Sequence, residues 1–399
     1  MRLLIVTLAA LMCASCGGGS SGSATADPAA SVSASAMPAA TTPSPSAPTS
    51  GAPTPPGPRF YKIVEIPRLA ATGSVTASGV NDQGMIVGQQ ETSAAGRVFM
   101  YQQSSGALSE LTFDPSENGA YVGGITDSGV IAGAEVPGNG PPEPGYWTVT
   151  GGAVLLTGQY QSYAQAVAAN NIGTIIGNYG QSGAVSGLPL VWTAPGYAES
   201  SLPGLRCDHC VRFDTNASAI NDGGIVVGSA NFDYEDTEPN ATGMHAVEWQ
   251  NGTITDLGGL NGAYYSGANS VNSGGDIVGS SRTDQTDGAP SHAFLYHQGA
   301  MADLGTLAGD TNSSASSIND SGQIVGSSQS DTTTRAFLYE NGRMYDLNTL
   351  LDPSSPLVGS VSLQNPVTIS SNGWIAVNGT DTNDPGWQRA FLLIPETSG

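Results

Sequence analysis

Basic residues are scarce in this chain of 399 residues, which has 33 Asp and Glu against 11 Lys and Arg and a single lysine, Lys62. The formal net charge is −22 at pH 7. A protein of this charge is repelled by phosphate backbones, so nucleic acid is excluded as a natural partner. The charge instead favours solubility and cationic partners.

Histidine is also rare, with four residues at positions 209, 245, 292 and 297. A histidine-dependent hydrolase is therefore not expected, and no nucleophile with a base and no metal-binding helix is recognisable. The sequence predicts a protein that is not an enzyme and that has no cofactor or metal. A glycan-active enzyme that uses a carboxylate pair stays open as an alternative, because 33 acidic residues leave many pairs.

Long apolar runs are missing as well. Residues 3–12 form an apolar segment behind Arg2 that is too short to span a bilayer and is typical of a signal peptide. The Cys13-Ala14-Ser15-Cys16 sequence that follows, with Gly and Ser after it, resembles the lipobox of bacterial lipoproteins. This resemblance implies that residues 1–16 are an export signal ending at a lipidated Cys16, and that the protein is an outer-membrane or cell-surface lipoprotein. Cleavage by an ordinary signal peptidase, which would give a secreted or periplasmic protein, is the alternative.

Large apolar residues are almost absent from residues 17–58, which consist mainly of Gly, Ser, Ala, Thr and Pro. Such a segment cannot bury enough surface to offset the entropy that is lost on ordering. We therefore predict a disordered linker over residues 17–58. It would hold a folded domain, residues 59–396, away from a membrane to which the lipid alone attaches it.

The main positive feature of the chain is a repeat. The stretch Ala315-Ser-Ser-Ile-Asn-Asp-Ser-Gly-Gln-Ile-Val-Gly326 has recognisable copies from Val80 almost to the C-terminus. Aligned on Asn319, the copies are separated by 45, 44, 51, 51, 47 and 51 residues and lie at Asn81, Thr126, Asn170, Asn221, Asn272, Asn319 and Ser370. Seven strand-like units with a period in this range predict a propeller or a solenoid.

Each unit has the composition of two β-hairpins. In the fullest unit, residues 315–318 and 323–326 are strand-like and flank an Asn-Asp-Ser-Gly turn. Residues 335–339 and 343–347 form a second pair around Asn341-Gly342. Four antiparallel strands of this kind make one propeller blade, with the strand at 315–318 innermost. The 54 glycines and the low share of charged residues, 11%, suit short strands and tight turns.

The seventh unit lacks a fourth strand, because the chain stops soon after the strand at residues 389–393. A lone strand before the first unit, residues 60–67, contains Val64-Glu65-Ile66, which is like the fourth strand Tyr345-Asp346-Leu347. Pairing of this strand with the last blade would leave no exposed sheet edge at the join. We therefore predict an all-β fold, a seven-bladed β-propeller of four-stranded antiparallel blades closed by the N-terminal strand. An open β-solenoid is the alternative.

The segments His292-Ala293-Phe294, Asp303-Leu304-Gly305-Thr306-Leu307 and residues 318–326 together resemble the HAF-repeat family of bacterial extracellular repeat proteins. The likeness extends from the first unit to the last. It implies export and a repetitive β architecture, and it brings no catalytic residues with it.

Cysteine is limited to two pairs, and Cys207 and Cys210 form the pair within the repeat domain. In an exported chain an even pair is normally oxidised, so a disulfide is expected here. Free or redox-active thiols are an alternative. A metal site is another, although His209 raises the number of ligands only to three, where structural zinc takes four.

The turns and third strands carry polar residues for which we expect structural roles. Turn capping is expected at Asn81, Asp82, Asn221, Asp222, Asn319 and Asp320, since each turn offers at most one Asp and a calcium loop needs several. His245 and His292 stand where other third strands have Arg. Because arginine is not a metal ligand, this interchange predicts a hydrogen bond to an acid of the neighbouring fourth strand. The aromatic residues of the third strands are expected to pack between blades.

The loops that join the second strand to the third, and each blade to the next, should lie on one rim of the ring. Aromatic residues beside Asp suit sugar rings, since the apolar ring face stacks and carboxylates take the hydroxyls. The ligand-binding candidates are Tyr160, Tyr163, Asp233, Tyr234, Tyr264, Tyr265 and Asp310. Packing of these tyrosines within their own loops is the alternative. The sequence thus predicts a non-catalytic binding or adhesion module at the cell envelope for a glycan; the alternatives are a scaffold for an envelope protein and the glycan-active enzyme.

Overall fold

The computed structural model describes residues 60–91, 96–111, 117–137, 140–160, 163–181, 185–205, 214–233 and 242–396. These residues form seven four-stranded antiparallel sheets. In six sheets the strands follow chain order, and contacts between the first strands of successive sheets run around a ring. The predicted all-β, seven-bladed propeller is therefore confirmed. In the part of the chain that is described, no helix is long and apolar enough to cross a membrane.

The strands of the first four blades are short. Blade one contains β2 (Val75–Val80), β3 (Met85–Glu91), β4 (Gly96–Gln102) and β5 (Ala107–Glu110). Blade two contains β6 (Glu117–Ile125), β7 (Val130–Pro137), β8 (Glu143–Thr148) and β9 (Val154–Leu155). Blade three contains β10 (Ala164–Ala169), β11 (Thr174–Gln181), β12 (Val185–Thr193) and β13 (Ala198–Ser201). Blade four contains β14 (Thr215–Ile220), β15 (Val226–Asp233), β16 (Thr242–Gln250) and β17 (Thr253–Gly258).

The last three blades include two short 3₁₀ segments, Leu260–Gly262 and Leu347–Leu350. Blade five contains β18 (Ser266–Val271), β19 (Ile277–Arg282), β20 (Ser291–His297) and β21 (Ala300–Gly305). Blade six contains β22 (Asn312–Ile318), β23 (Ile324–Gln329), β24 (Thr334–Glu340) and β25 (Arg343–Asp346). Blade seven contains β26 (Val361–Ile369), β27 (Ile375–Asp381), β28 (Arg389–Pro395) and, as its fourth strand, β1 (Tyr61–Glu65).

The N-terminal strand closes the ring, as predicted. Glu65 of β1 lies opposite Phe391, just as Asp346 lies opposite Phe337 in blade six. The carboxylate of Glu65 forms an ion pair with Arg389, whose side chain is nearly buried. β1 is thus equivalent to the other fourth strands in both register and side-chain chemistry.

The loop that leaves blade six covers the closing strand. The N–H of Asp352 donates to the carbonyl of Tyr61 at 2.9 Å, and Leu351 forms a β-bridge with the same residue. Tyr61 is 1% exposed and belongs to a cluster that includes Leu350 and Leu393. The closing strand is therefore held by two blades.

The apolar core is divided into clusters that lie between neighbouring blades. Trp147 of blade two packs with Val87 and Val98 of blade one, and Trp249 of blade four packs with Ile176 of blade three. The third-strand aromatics that are fully buried are Phe99, Trp147, Trp192, Trp249, Phe294, Phe337 and Phe391. The expectation that these residues form the core between blades is confirmed.

Every first strand contains a bulge, and every second strand has a glycine next to it. In blade six the register shifts between Ala315 and Ser317, and Gly326 pairs with Ala315. A Cβ atom on Gly326 would lie 2.1 Å from the carbonyl oxygen of Ser314. The same clash, at 1.8 to 2.2 Å, occurs at Gly88, Gly133, Gly177, Gly228, Gly279 and Gly379. Glycine is therefore required where the bulge presses a first-strand carbonyl against the second strand.

Candidate functional site

The propeller has two faces with different chemistry. We call the face with the hairpin turns the turn face, and the face with the loops between second and third strands and between blades the rim face. A central channel, lined by the first strands of all seven blades, connects them.

A ring of hydrogen bonds joins the blades at the turn face. Each asparagine at the start of a first-hairpin turn donates from Nδ2 to the backbone carbonyl at the same position of the next blade. The donors are Asn81, Asn170, Asn221, Asn272 and Asn319, at 3.0, 3.0, 2.8, 3.3 and 3.0 Å. Their Oδ1 atoms accept from the N–H groups of their own turns. In blades two and seven, the hydroxyls of Thr126 and Ser370 accept in the same way.

The aspartates that follow these asparagines bond the preceding blade. Asp222 Oδ1 accepts from the Asn171 N–H at 2.7 Å, and Asp320 Oδ1 accepts from the Ser273 N–H at 2.8 Å. Asp82 accepts from the Asn372 N–H at 3.3 Å across the closure. We expected these carboxylates to cap their own turns. They accept from the turn of the preceding blade instead, because the first strands converge on the channel.

The turn-face mouth is a polar cavity of about 230 Å³. Burial raises the pKa of the Asp127 carboxyl, and the charges of Asp82 and Asp222 add to this increase, although the hydrogen bond from the Asp82 N–H opposes it. No group of three His, Cys, Asp or Glu side chains that could hold a metal ion is found among the residues that the structure describes.

Five blades carry the expected bond between the start of the third strand and an acid on the fourth. His245 Nδ1 lies 2.8 Å from Asp256, and His292 Nδ1 lies 2.9 Å from Asp303. The remaining pairs are Arg97 with Glu110, Arg335 with Asp346, and Arg389 with Glu65. These pairs connect the third strand to the outer strand in five of the seven blades and lie close to the rim face.

Three of the ligand-binding candidates contact neighbouring side chains of the protein or are partly buried. The ring of Tyr160 lies 4.9 Å from that of Tyr179 and belongs to the core cluster between blades two and three. Tyr163 is half-buried, with a φ of 72°. The carboxylate of Asp310 is 2% exposed and lies 2.9 Å from Arg335. These three side chains contribute little accessible surface to the rim.

Tyr264 and Tyr265 lie between blades four and five. Tyr264 is half-buried, whereas Tyr265 is 39% exposed. The guanidinium of Arg282 lies 4.2 Å from the centre of the Tyr265 ring. The loop that follows Arg282 is tied to the loop before Tyr264, because Asn261 Nδ2 donates to the carbonyl of Thr283 at 2.8 Å. Tyr265 is therefore an exposed aromatic side chain on well-braced loops.

Four candidates lie outside the described residues, namely Cys16, Cys207, Cys210 and Tyr234. The same is true of the export signal and of the linker, residues 17–58. Asp233 is described only through its backbone, which pairs with Thr242 at the end of β15. The structure therefore places none of these side chains relative to the rim.

Two exposed aromatic residues on the rim side were missed by the sequence reasoning. Trp387, in the loop between β27 and β28, is 40% exposed. Tyr121, on the innermost strand of blade two, is 43% exposed. The sequence does distinguish Tyr121, because the other first strands have small or polar residues at the equivalent position.

A family model described as a protein of unknown function (DUF3466) matches residues 207–365. No curated protein matches the sequence. The matched region begins just before blade four and ends within β26 of blade seven.

Solved structures of different kinds share the fold. The β-propeller domain of the Trilobed protease from Pyrococcus furiosus, which has an open velcro topology, superposes with a TM-score of 0.53 at 8% identity, covering 82% of this chain and 95% of that one. Streptogramin B lyase gives 0.50 at 10% identity, with 84% and 98% covered. Acylaminoacyl peptidase from Pyrococcus horikoshii gives 0.52 at 10% identity, with 80% and 51% covered. Identities this low show the fold alone, which enzymes and other proteins share.

Proposed function

We propose that this chain is an exported binding module of the cell envelope, held there by a lipid on Cys16, and that its rim face recognises a glycan. The observation that carries the proposal is the contrast between the two faces. At the turn face, amides and carboxylates are used to join neighbouring blades. Within the described ranges, the rim side presents three exposed aromatic side chains, Tyr121, Tyr265 and Trp387, whereas the turn face has one, Phe60, beside the closing strand.

Exposed aromatic side chains on braced loops favour binding over a purely structural role. Exposed apolar surface that is grouped on one face and rimmed by polar residues marks an interaction site. An aromatic ring offers a broad apolar face, and the neighbouring amides, hydroxyls and carboxylates supply directional hydrogen bonds. This combination suits a sugar, which has an apolar ring face and a polar periphery.

The test is a thermal-shift screen of the purified chain against glycans and divalent cations. A ligand that binds the native state raises the melting temperature by mass action. We expect one class of glycan to give a reproducible increase that saturates with concentration. The absence of any increase would contradict the proposal. In that case a pull-down from envelope extracts that recovers a protein partner would favour the scaffold.

Anchoring is tested separately. Expression with a radiolabelled or alkyne-labelled fatty acid should label the parent chain and leave Cys16→Ala unlabelled. Labelling of both chains, or of neither, would overturn the assignment of Cys16 without affecting the glycan proposal.

A further inference from the structure

We place the rim-side mouth of the channel at one residue near the start of each first strand, on the rim side of the residues that line the channel. Each of these residues pairs with the residue that follows the second-strand glycine, so the seven positions are equivalent in register. We call them the rim-mouth ring: Thr76, Tyr121, Gln165, Asn216, Gly267, Ser314 and Ser362. In blades one to six, each lies two residues before a residue that lines the middle of the channel.

None of the seven residues of the rim-mouth ring is charged. This contrasts with the other mouth, where Asp82, Asp127, Asp222 and Asp320 line the cavity. The ring offers hydroxyls and amides, which both donate and accept hydrogen bonds. A neutral polar ligand would therefore be favoured over a cation or an anion, since neither would meet an opposite charge in the ring.

Tyr121 is the large residue of this ring. Its neighbours in sequence, Ala120 and Val122, pack against Val87 and Val98 of blade one. Because side chains alternate along a strand, Tyr121 faces away from blade one. It is nevertheless 43% exposed on an innermost strand, where the sheet and the adjacent blades cover the other directions. Its exposed surface therefore lies on the blade-three side of blade two, next to the rim-side end of the channel.

The mouth is asymmetric in a way that leaves room beside Tyr121. In a ring of seven blades, blades five and six lie across the channel from blade two. Their residues in the rim-mouth ring are Gly267 and Ser314, which are small. The adjacent blade three contributes the exposed Gln165, and blade one contributes Thr76. One side of the mouth thus has an aromatic face flanked by an amide and a hydroxyl, and the opposite side is open.

From these observations we infer that the rim-side mouth of the channel is the ligand site, and that it takes a neutral, polyhydroxylated ring such as the terminal hexose of an uncharged glycan, stacked on Tyr121. This inference rests on the proposed function and names its site and ligand class. Tyr265 is less suited to stacking, because the guanidinium of Arg282 lies over its ring.

The experiment uses the purified chain and four variants, titrated calorimetrically with neutral and with acidic oligosaccharides. Tyr121→Ala should weaken binding of the neutral glycan about tenfold or more, because the stacked face is lost. Tyr121→Phe keeps the face and should stay within about threefold of the parent. Tyr265→Ala should lose less affinity than Tyr121→Ala, because the Arg282 guanidinium already lies over the Tyr265 ring. Gln165→Ala, an exposed position, provides a second test of the mouth with an expected loss of affinity.

Each outcome bears on the inference. Loss of binding in Tyr265→Ala with full binding in Tyr121→Ala would overturn the channel mouth as the site and leave the glycan proposal standing. Preferential binding of acidic glycans would overturn the neutral ligand class. A parent chain that binds neither kind of glycan would overturn the inference and the proposed function together. If Tyr121→Ala has a lower melting temperature than the parent, its loss of affinity is not informative. In that case unchanged affinity in Gln165→Ala would overturn the channel mouth as the site.

Discussion

At the scale of single residues, the repeat is held in place by backbone contacts that only glycine permits. The second-strand glycine lies against the carbonyl that the first-strand bulge pushes towards it, and against the third-strand aromatic. In blade three, a Cβ on Gly177 would lie 2.2 Å from the Gln165 carbonyl oxygen and 2.9 Å from the Trp192 ring. Distances this short cannot be relieved without moving the backbone or the core.

Gly177→Ala should therefore destabilise the protein by about 1–3 kcal/mol, the usual cost of overpacking. The matched control is Gly180→Ala in the same strand, where a Cβ would meet nothing within 4 Å. That variant should stay within about 0.5 kcal/mol of the parent. Urea denaturation monitored by tryptophan fluorescence measures both. Equal midpoints for the two variants would contradict the role of the bulge.

The role of a residue could be predicted from the sequence only where different repeat units carry different residues at the same position. The exchange of His245 and His292 with arginine indicated a partner acid, and the structure shows the bonds to Asp256 and Asp303. The burial of Asp310 against Arg335 was not predictable in this way. It depends on the path of one loop between two blades, and the other units carry no equivalent that could be compared.

At the scale of elements, the closing strand was the strongest prediction from sequence, because a missing strand in the last unit matched an extra strand before the first. The seventh unit lacked a fourth strand, and a lone strand preceded the first unit. The loop from blade six that covers Tyr61 was not predicted, since its residues 351–360 have no counterpart in the other units. Periodicity predicts what repeats, and it gives no information about insertions.

Tyr61→Ala should destabilise the propeller strongly, by about 3–5 kcal/mol, as expected when a large buried side chain is removed. Tyr61 is 1% exposed and contacts residues of blades six and seven. Lys62 is exposed on the opposite face of the same strand, so Lys62→Ala is the control and should change stability by less than about 0.5 kcal/mol. Guanidinium denaturation of both variants provides the measurement. A Tyr61→Ala protein as stable as the Lys62→Ala protein would show that the closing strand does not limit stability.

At the scale of the whole molecule, charge is distributed unevenly over an acidic protein. The turn-face mouth gathers carboxylates around the channel, whereas the rim-mouth ring has no charge. The number of blades and the order of strands followed from the sequence. The contrast between the two mouths required the structure, because it depends on which residues of seven distant segments meet at each end of the channel.

This distribution predicts that removing one turn-face charge stabilises the fold. Asn171 stands at the same position in blade three and accepts a hydrogen bond from the Ser128 N–H at 3.1 Å, so an amide can replace the carboxylate without losing the bond. Asp127→Asn should therefore keep the contact with Asp82, remove the cost of burying a charge, and relieve the repulsion from Asp82 and Asp222. We expect a higher melting temperature at pH 7 and low salt.

The sign of the pH dependence follows from the raised pKa of Asp127. Folding disfavours the ionised carboxylate, so its cost is present above the folded pKa and disappears as protonation relieves it at lower pH. The advantage of Asp127→Asn should thus shrink as the pH falls towards about 4, the region in which aspartate titrates. The advantage should also be smaller at about 1 M salt than at low salt. The Debye length at 1 M is about 3 Å, so repulsion between the carboxylates is largely screened. Melting curves over both series measure the effect, and an advantage that is independent of pH and salt would mean that charge repulsion at the channel mouth is not its cause.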